Sequence, residues 1–202
     1  MKIVFATHNL HKAEEAQKIL GADYQVVNLH DLQCPEIPET AQTLEGNAVQ
    51  KAQFVLERYH CDCFADDTGL EIEALDNRPG VYSARYAGEN CSFEDNVNKV
   101  LHEMQGVTNR KACFKTVICL LLNGEKHLFE GRVDGIITET RHGENGFGYD
   151  PIFLPDGFTQ TFAEMDADTK NHISHRGRAM QKLIAFLKHH TTATETVASQ
   201  GC

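Results

Sequence analysis

The chain has 202 residues, 41% of them hydrophobic and 24% charged, with a formal net charge of −10. That length supports one sizeable core, or two lobes sharing a sheet, and does not demand independent domains. The acidity argues against a broad nucleic-acid surface, which needs clustered basic side chains, and makes any small polyanionic ligand depend on locally placed Lys and Arg plus a divalent cation.

The apolar run Lys2–Ala6 predicts a strand, and it breaks into the polar turn Thr7-His8-Asn9-Leu10-His11-Lys12 before Ala13, Ala16, Ile19 and Leu20 recur at helical spacing. Such a turn aims unpaired backbone N–H groups, the positive end of a helix dipole and the Lys12 ammonium at one spot, which suits a phosphate; a simple helix cap is the plainer alternative. Tyr24–Leu29 reads as a second strand and Asp31–Thr43, with Pro35 and Pro38, as a polar connection. Leu44, Ala48, Ala52, Val55 and Leu56 then predict a helix over Thr43–Tyr59 with Thr43 as its cap. Cys63-Phe64-Ala65 predicts a strand ending at Asp66-Asp67, and Leu70–Leu75 alternates like a half-exposed strand.

Residues 76–92 read as a loop and Phe93–Met104 as a helix. Ala112–Leu122 and Lys126–Val133 read as strands joined by an Asn123-Gly124 hairpin turn, with Ile136–Glu139 extending the sheet. Gly143–Gly157 is a glycine- and proline-rich loop around aromatics. A last helix is expected over Arg178–His190, followed by a flexible polar tail over 191–202, so that residues 1–190 form the folded unit. Seven cysteines, at 34, 61, 63, 91, 113, 119 and 202, are odd in number and lack CxxC spacing, which fits reduced thiols. No apolar run approaches the roughly 18 residues of a membrane span, and no signal-like segment opens the chain, so a cytoplasmic location is expected.

Chemistry concentrates in a few segments. Adjacent carboxylates on an extended chain point to opposite sides, so Asp66 and Asp67 have different tasks: one binds Mg²⁺ or deprotonates water, the other hydrogen-bonds the local backbone. Glu39 and Glu45 are the nearest upstream carboxylates for completing a metal site. Lys12 and Lys51 lie beside predicted helices, as phosphate ligands or as solvated lysines. Phe147, between Gly146 and Gly148, offers a ring that a flat base approaches closely, or else a core side chain. Lys170, His175 and Arg176 supply donors for a base edge, or the polar start of the last helix with Ser174 as its cap.

Five elements in order carry a resemblance: Thr7-His8-Asn9-Leu10-His11-Lys12, Ala65-Asp66-Asp67-Thr68-Gly69-Leu70, Pro79-Gly80-Val81-Tyr82-Ser83-Ala84-Arg85-Tyr86, Gly146-Phe147-Gly148-Tyr149-Asp150-Pro151 and Ser174-His175-Arg176. With these the chain resembles the inosine triphosphate pyrophosphatase family, the noncanonical purine nucleoside triphosphate (dITP/XTP) pyrophosphatases. The resemblance implies a bilobed α/β fold with a long mixed central sheet flanked by helices, an active-site cleft between the lobes, and a homodimer without nucleic-acid or membrane partners. It implies hydrolysis of ITP, dITP and XTP to the monophosphate and pyrophosphate. Asp67 is then the proton acceptor and a Mg²⁺ ligand, with Glu39 as second carboxylate. Thr7, His8, Asn9, Lys12 and the rest of that turn, with Lys51, hold the triphosphate, and Thr68 contacts substrate. Phe147, Gly148, Tyr149, Asp150, Lys170, His175 and Arg176 form the nucleoside site. One departure matters: many members carry Glu directly before the Asn matching Asn47, whereas this chain has Gly46 there and Glu45 one place earlier. One helical step turns a side chain by roughly 100°, which favours Glu39. Two rival functions are a purine-nucleotide binding module without catalysis and a triphosphatase for modified pyrimidine nucleotides.

Overall fold

The computed structural model describes residues 2–199, with side chains through His190. A seven-stranded mixed sheet runs in the order β2 (Gln25–Val27), β1 (Lys2–Phe5), β3 (Cys63–Ile72), β5 (Lys111–Leu122), β6 (Glu125–Ile137) and β7 (Phe153–Pro155), with β4 (Arg78–Gly80) paired to β3. β1 lies parallel to β2 and β3; every pairing from β3 onward is antiparallel. Helices α1 (Leu10–Leu20), α2 (Leu44–Tyr59), α3 (Phe93–Glu103), α4 (Ala167–Ile173) and α5 (His175–Ser199) flank it. The architecture is the expected α/β fold.

Local chemistry accounts for the helix starts. The Asn9 side chain accepts the Lys12 N–H and caps α1, Thr43 accepts the Gly46 N–H and caps α2, and Ser92 with Asp95 forms a capping box before α3. Asn123 and Gly124, both at positive φ, close the β5–β6 hairpin as expected.

The core falls into three clusters that divide the two long strands. Phe5, Phe64, Ile118 and Leu120 pack on one face of the sheet with Ala16 of α1 and Ala179 and Leu183 of α5. On the opposite face Ala65, Cys63, Cys119 and Leu121 pack with Ala48, Ala52 and Val55 of α2. Farther along β3 and β5, Leu70, Ile72 and Phe114 pack with Val97 and Val100 of α3 and with Phe153 and Phe162. Side chains such as Phe64 and Phe153, at 0% exposure, each contribute about 1.5–3 kcal/mol by leaving water.

Several expectations need correction. Asp66 and Asp67 do not end a strand: β3 runs unbroken from Cys63 to Ile72, because β5 pairs with all ten of its residues. Leu70–Leu75 is not a separate half-exposed strand; it is the end of β3, buried at Leu70 and Ile72, followed by a one-turn 3₁₀ helix at Glu73–Leu75. The 76–92 loop holds β4 and a 3₁₀ turn at Ser83–Arg85. The 143–157 loop supplies β7. A short helix, α4, precedes the last one, which starts at His175 and runs to Ser199. Residues 191–199, expected to belong to an unpatterned tail, continue α5, and 200–202 lie outside the described residues. Among the described cysteines, Cys34, Cys63, Cys113 and Cys119 are buried thiols, Cys61 and Cys91 are half-buried, and all are free.

Candidate active site

The two consecutive carboxylates of β3 face opposite sides of the sheet, each toward its own partners. Asp66, with its side chain 1% exposed, accepts Lys12 Nζ at 2.9 Å on one oxygen and Arg176 Nε at 3.1 Å on the other. Thr68, two residues on and so on the same face, donates Oγ1 to Asp66 at 3.3 Å and lies 2.7 Å from Thr116 Oγ1. Burial alone would raise the Asp66 carboxyl, but the Lys12 and Arg176 cations outweigh it and hold the group well below the usual carboxylate range. The same burial pushes the Lys12 ammonium down, offset only in part by Asp66. Asp66 therefore binds two cations across the structure; the expected bond to local backbone is made by Asp67, whose Oδ1 accepts the Thr68 N–H at 2.9 Å.

Asp67 turns toward α2. Asn47 Nδ2 donates to its Oδ2 at 2.9 Å, and Lys51 Nζ, one helical turn farther, stands 3.9 Å from its Oδ1. Lys51 also donates to Glu39, whose other oxygen lies 3.8 Å from Arg85 Nη1. Burial raises the Asp67 carboxyl, and the nearby Lys51 and Lys12 charges do not cancel the effect. Glu39 and Asp67 thus share one ammonium, and both border the cleft. Glu45 is exposed and points elsewhere.

A third group gathers beyond these. Asp150 Oδ2 accepts the Phe147 N–H and Lys170 Nζ, both at 2.8 Å. Glu15, from α1, accepts Lys170 Nζ at 2.7 Å and Arg176 Nη1 at 2.6 Å. Gly146 sits at φ +75°, and a Cβ there would meet Asp150 Oδ2 at 2.1 Å, so the turn that presents Phe147 requires glycine. His175 stacks on Phe114 with centroids 4.4 Å apart, and its buried Nδ1 has no hydrogen-bond partner. Burial, reinforced by the Arg176 and Lys170 charges, holds its pKa well below the ordinary imidazole value, so the ring is neutral. Ser174 caps the last helix through the Gly177 N–H at 3.0 Å.

These groups meet at one cleft of ≈ 420 Å³, lined by the substrate, metal and catalytic candidates that the resemblance supplied except Leu10 and His11 of the first turn; Asp66, Asn47 and Glu15 stand behind the lining. Their individual tasks differ from a uniform ligand set. Asn9 spends its side-chain oxygen on the α1 cap, Thr7 Oγ1 accepts the Asn9 N–H at 3.1 Å, and His8 Nε2 bonds Cys34 O at 2.9 Å. Tyr149, 4% exposed, donates its hydroxyl to Ser83 O at 2.8 Å and braces the wall.

Other members of the site escaped the sequence reading. Glu15 gives no local signal, since its partners lie 155 and 161 residues away. Asn47 interrupts the apolar stripe of α2 one turn before Lys51, a signal that was available. Ile37, Ser83, Phe93, Asn96 and Phe114 also line the cleft. Among the described residues no helix is long and apolar enough to cross a membrane, and no group of three or more His, Cys, Asp or Glu is arranged around a metal position.

Known proteins are similar to this chain in sequence and in fold. The chain is 53% identical over 188 residues to a dITP/XTP pyrophosphatase of Flavobacterium johnsoniae, covering 93% of this chain and 98% of that protein. It is 53% identical to a dITP/XTP pyrophosphatase of Porphyromonas gingivalis, covering 92% and 97% of the two chains. Its fold superposes on the Ham1 protein of Staphylococcus aureus with a TM-score of 0.84 at 39% identity, across 94% of this chain and 100% of that one. A nucleoside-triphosphatase / dITP/XTP pyrophosphatase from Mycobacterium abscessus matches with a TM-score of 0.73 at 38% identity, across 91% and 98%. With residues 3–186 also matching the family's sequence pattern, the chain belongs to the Ham1 family.

Proposed function

We propose that this protein hydrolyses noncanonical purine nucleoside triphosphates, ITP, dITP and XTP, to the monophosphate and pyrophosphate. The observation that carries the reading is a single cleft lined by Lys12, Lys51, Asp67 and Thr68 and by Phe147, Lys170, His175 and Arg176, with Arg176 joining the two groups through Asp66 and Thr68. The first group suits a phosphate chain and the second a base. The relatives named above support the same assignment through their titles as dITP/XTP pyrophosphatases.

Asp67 accepts a proton from water as the water oxygen attacks the α-phosphorus. The bond from that phosphorus to the bridging oxygen of the β-phosphate breaks, and pyrophosphate leaves with the electron pair. An Asp raised by burial is a better base than an exposed one. Lys12 and Lys51 offset charge on the phosphates, the largest task in phosphoryl transfer, while the Thr7, Asn9 and Lys12 N–H groups are held within the protein. No covalent intermediate is required.

The donor set suits Mg²⁺, which commonly takes one or two carboxylates and fills its other positions with water and substrate phosphate oxygens. Glu39 and Asp67 would hold it, and it would neutralise charge on the triphosphate and the departing pyrophosphate. Two carboxylates sharing the Lys51 ammonium carry negative charge that a cation would relieve.

Phe147 stacks the base, and Arg176 with backbone donors reads an oxygen at C6. Adenine offers an amino donor there and leaves buried donors unpaired, which is costly. The same reading carries a homodimer, checked by sedimentation equilibrium, and a cytoplasmic location. Pyrophosphate release from a panel of triphosphates, with and without Mg²⁺, tests the assignment: ITP and XTP should exceed ATP in kcat/KM by about a hundredfold or more. Equal turnover of ATP, or preference for a pyrimidine nucleotide, would overturn it.

A further inference from the structure

His11 lies in the turn assigned to phosphates, yet its side chain serves the other group. Its imidazole stacks on the Phe147 ring with centroids 5.3 Å apart and 17° between the planes. Phe93, 43% exposed, leans on the same ring at 5.9 Å and 42°. Lys170 Nζ and the Arg176 guanidinium carbon lie 5.0 and 5.6 Å from its centroid.

The spacing along α1 explains the convergence. His11 and Glu15 are four residues apart and share one helix face. Glu15 holds Lys170 and Arg176, while His11, one turn earlier, meets Phe147. Both cations and the imidazole therefore gather around Phe147. The helix itself is fixed by buried Ala13, Ala16 and Leu20. His11 is exposed to solvent and lies outside the cleft lining, whereas Phe147 belongs to it, so the contact between the two rings borders the cleft and must part for a third ring to enter.

We propose that His11 is a base-binding residue of this site, forming with Phe147 the two walls between which a purine inserts. The proposal rests on the nucleotide reading above and adds to it a side chain that the resemblance placed among the phosphate ligands. Insertion replaces one exposed ring contact with two stacked ones, while Lys170 and Arg176 stay beside the base edge. Stacking is indifferent to the groups on the ring, so His11 raises affinity for purines generally and leaves the choice of C6 oxygen to Arg176.

Calorimetric titration of His11→Ala and His11→Phe with IMP and with inorganic tripolyphosphate tests this. His11→Ala should weaken IMP about tenfold and leave tripolyphosphate within about twofold, whereas His11→Phe should keep IMP close to wild type. AMP, where it binds, should lose the same factor as IMP. Equal losses for IMP and tripolyphosphate would make His11 a phosphate ligand and overturn the proposal. Unchanged IMP affinity in His11→Ala would overturn it as well. Wild-type protein that bound neither IMP nor ITP would instead overturn the nucleotide reading itself, a result separate from any difference between the variants.

Discussion

Replacing Asp66 by Asn removes the negative charge that Lys12 and Arg176 share in the interior. The carboxylate is 1% exposed and the two cationic side chains 15% and 3%, so water screens the interaction little. Removing one partner from a buried ion pair costs about 3–5 kcal/mol. Arg176 keeps Glu15 and the amide keeps one acceptor oxygen, which places the loss near the lower end, about 3 kcal/mol. For a chain of this length that is a fall in Tm of about 6–12 °C at pH 7. The sign with pH follows from the depressed carboxyl. Its contribution is complete above the unfolded value of 3.8 and is lost as pH falls below it toward the lower folded value. Scanning calorimetry of both proteins should therefore show the gap in Tm narrowing below about pH 4. Pyrophosphate should raise the Tm of the variant more than that of wild type, because an anion takes the place of the lost charge beside Lys12. A variant within about 2 °C of wild type at neutral pH, or a gap undiminished in acid, would refute the account of Asp66 as the shared counter-ion.

Other substitutions separate the remaining tasks. Asp67→Asn should lower kcat for ITP by at least about a hundredfold while nucleotide affinity stays within about tenfold, measured by pyrophosphate release and calorimetry. Because burial raises the Asp67 carboxyl, ionised Asp67 opposes folding at neutral pH, so the same variant should melt at or above the wild-type temperature; a clear fall in Tm would contradict that sign. Arg176→Ala should shrink the ITP-to-ATP ratio of kcat/KM, mainly by lowering ITP; equal losses on both substrates would make Arg176 a positioning residue. Gly131→Ala places a Cβ 2.0 Å from His175 O and 2.6 Å from Ala179 N, both backbone atoms, so β6 and α5 cannot keep their contact. Its Tm should fall by more than about 5 °C with loss of activity, and a wild-type melting curve would show that α5 accommodates the methyl group.

The signals that the sequence carried were local ones. Asn9 and Thr43 cap helices through bonds spanning three residues, Asn123-Gly124 closes a hairpin between adjacent strands, and apolar residues at helical spacing mark the buried faces of α1 and α2. Each is decided within a few residues, where composition and backbone preference act directly. The motifs also named most residues of the cleft, since the candidates other than Leu10 and His11 line it. What each side chain does there was a matter for the tertiary structure. Asp66-Asp67 reads locally as the end of a strand, yet pairing with β5 carries the strand on to Ile72 and fixes which partners each carboxylate meets. Asp66 meets Arg176 across 110 residues, Glu15 meets Arg176 across 161, and His11 of α1 stacks on Phe147 of a distant loop. A buried charge must find an opposite charge or a donor, and which one it finds depends on how the sheet brings distant segments together, a choice with no trace in the spacing of neighbours along the chain.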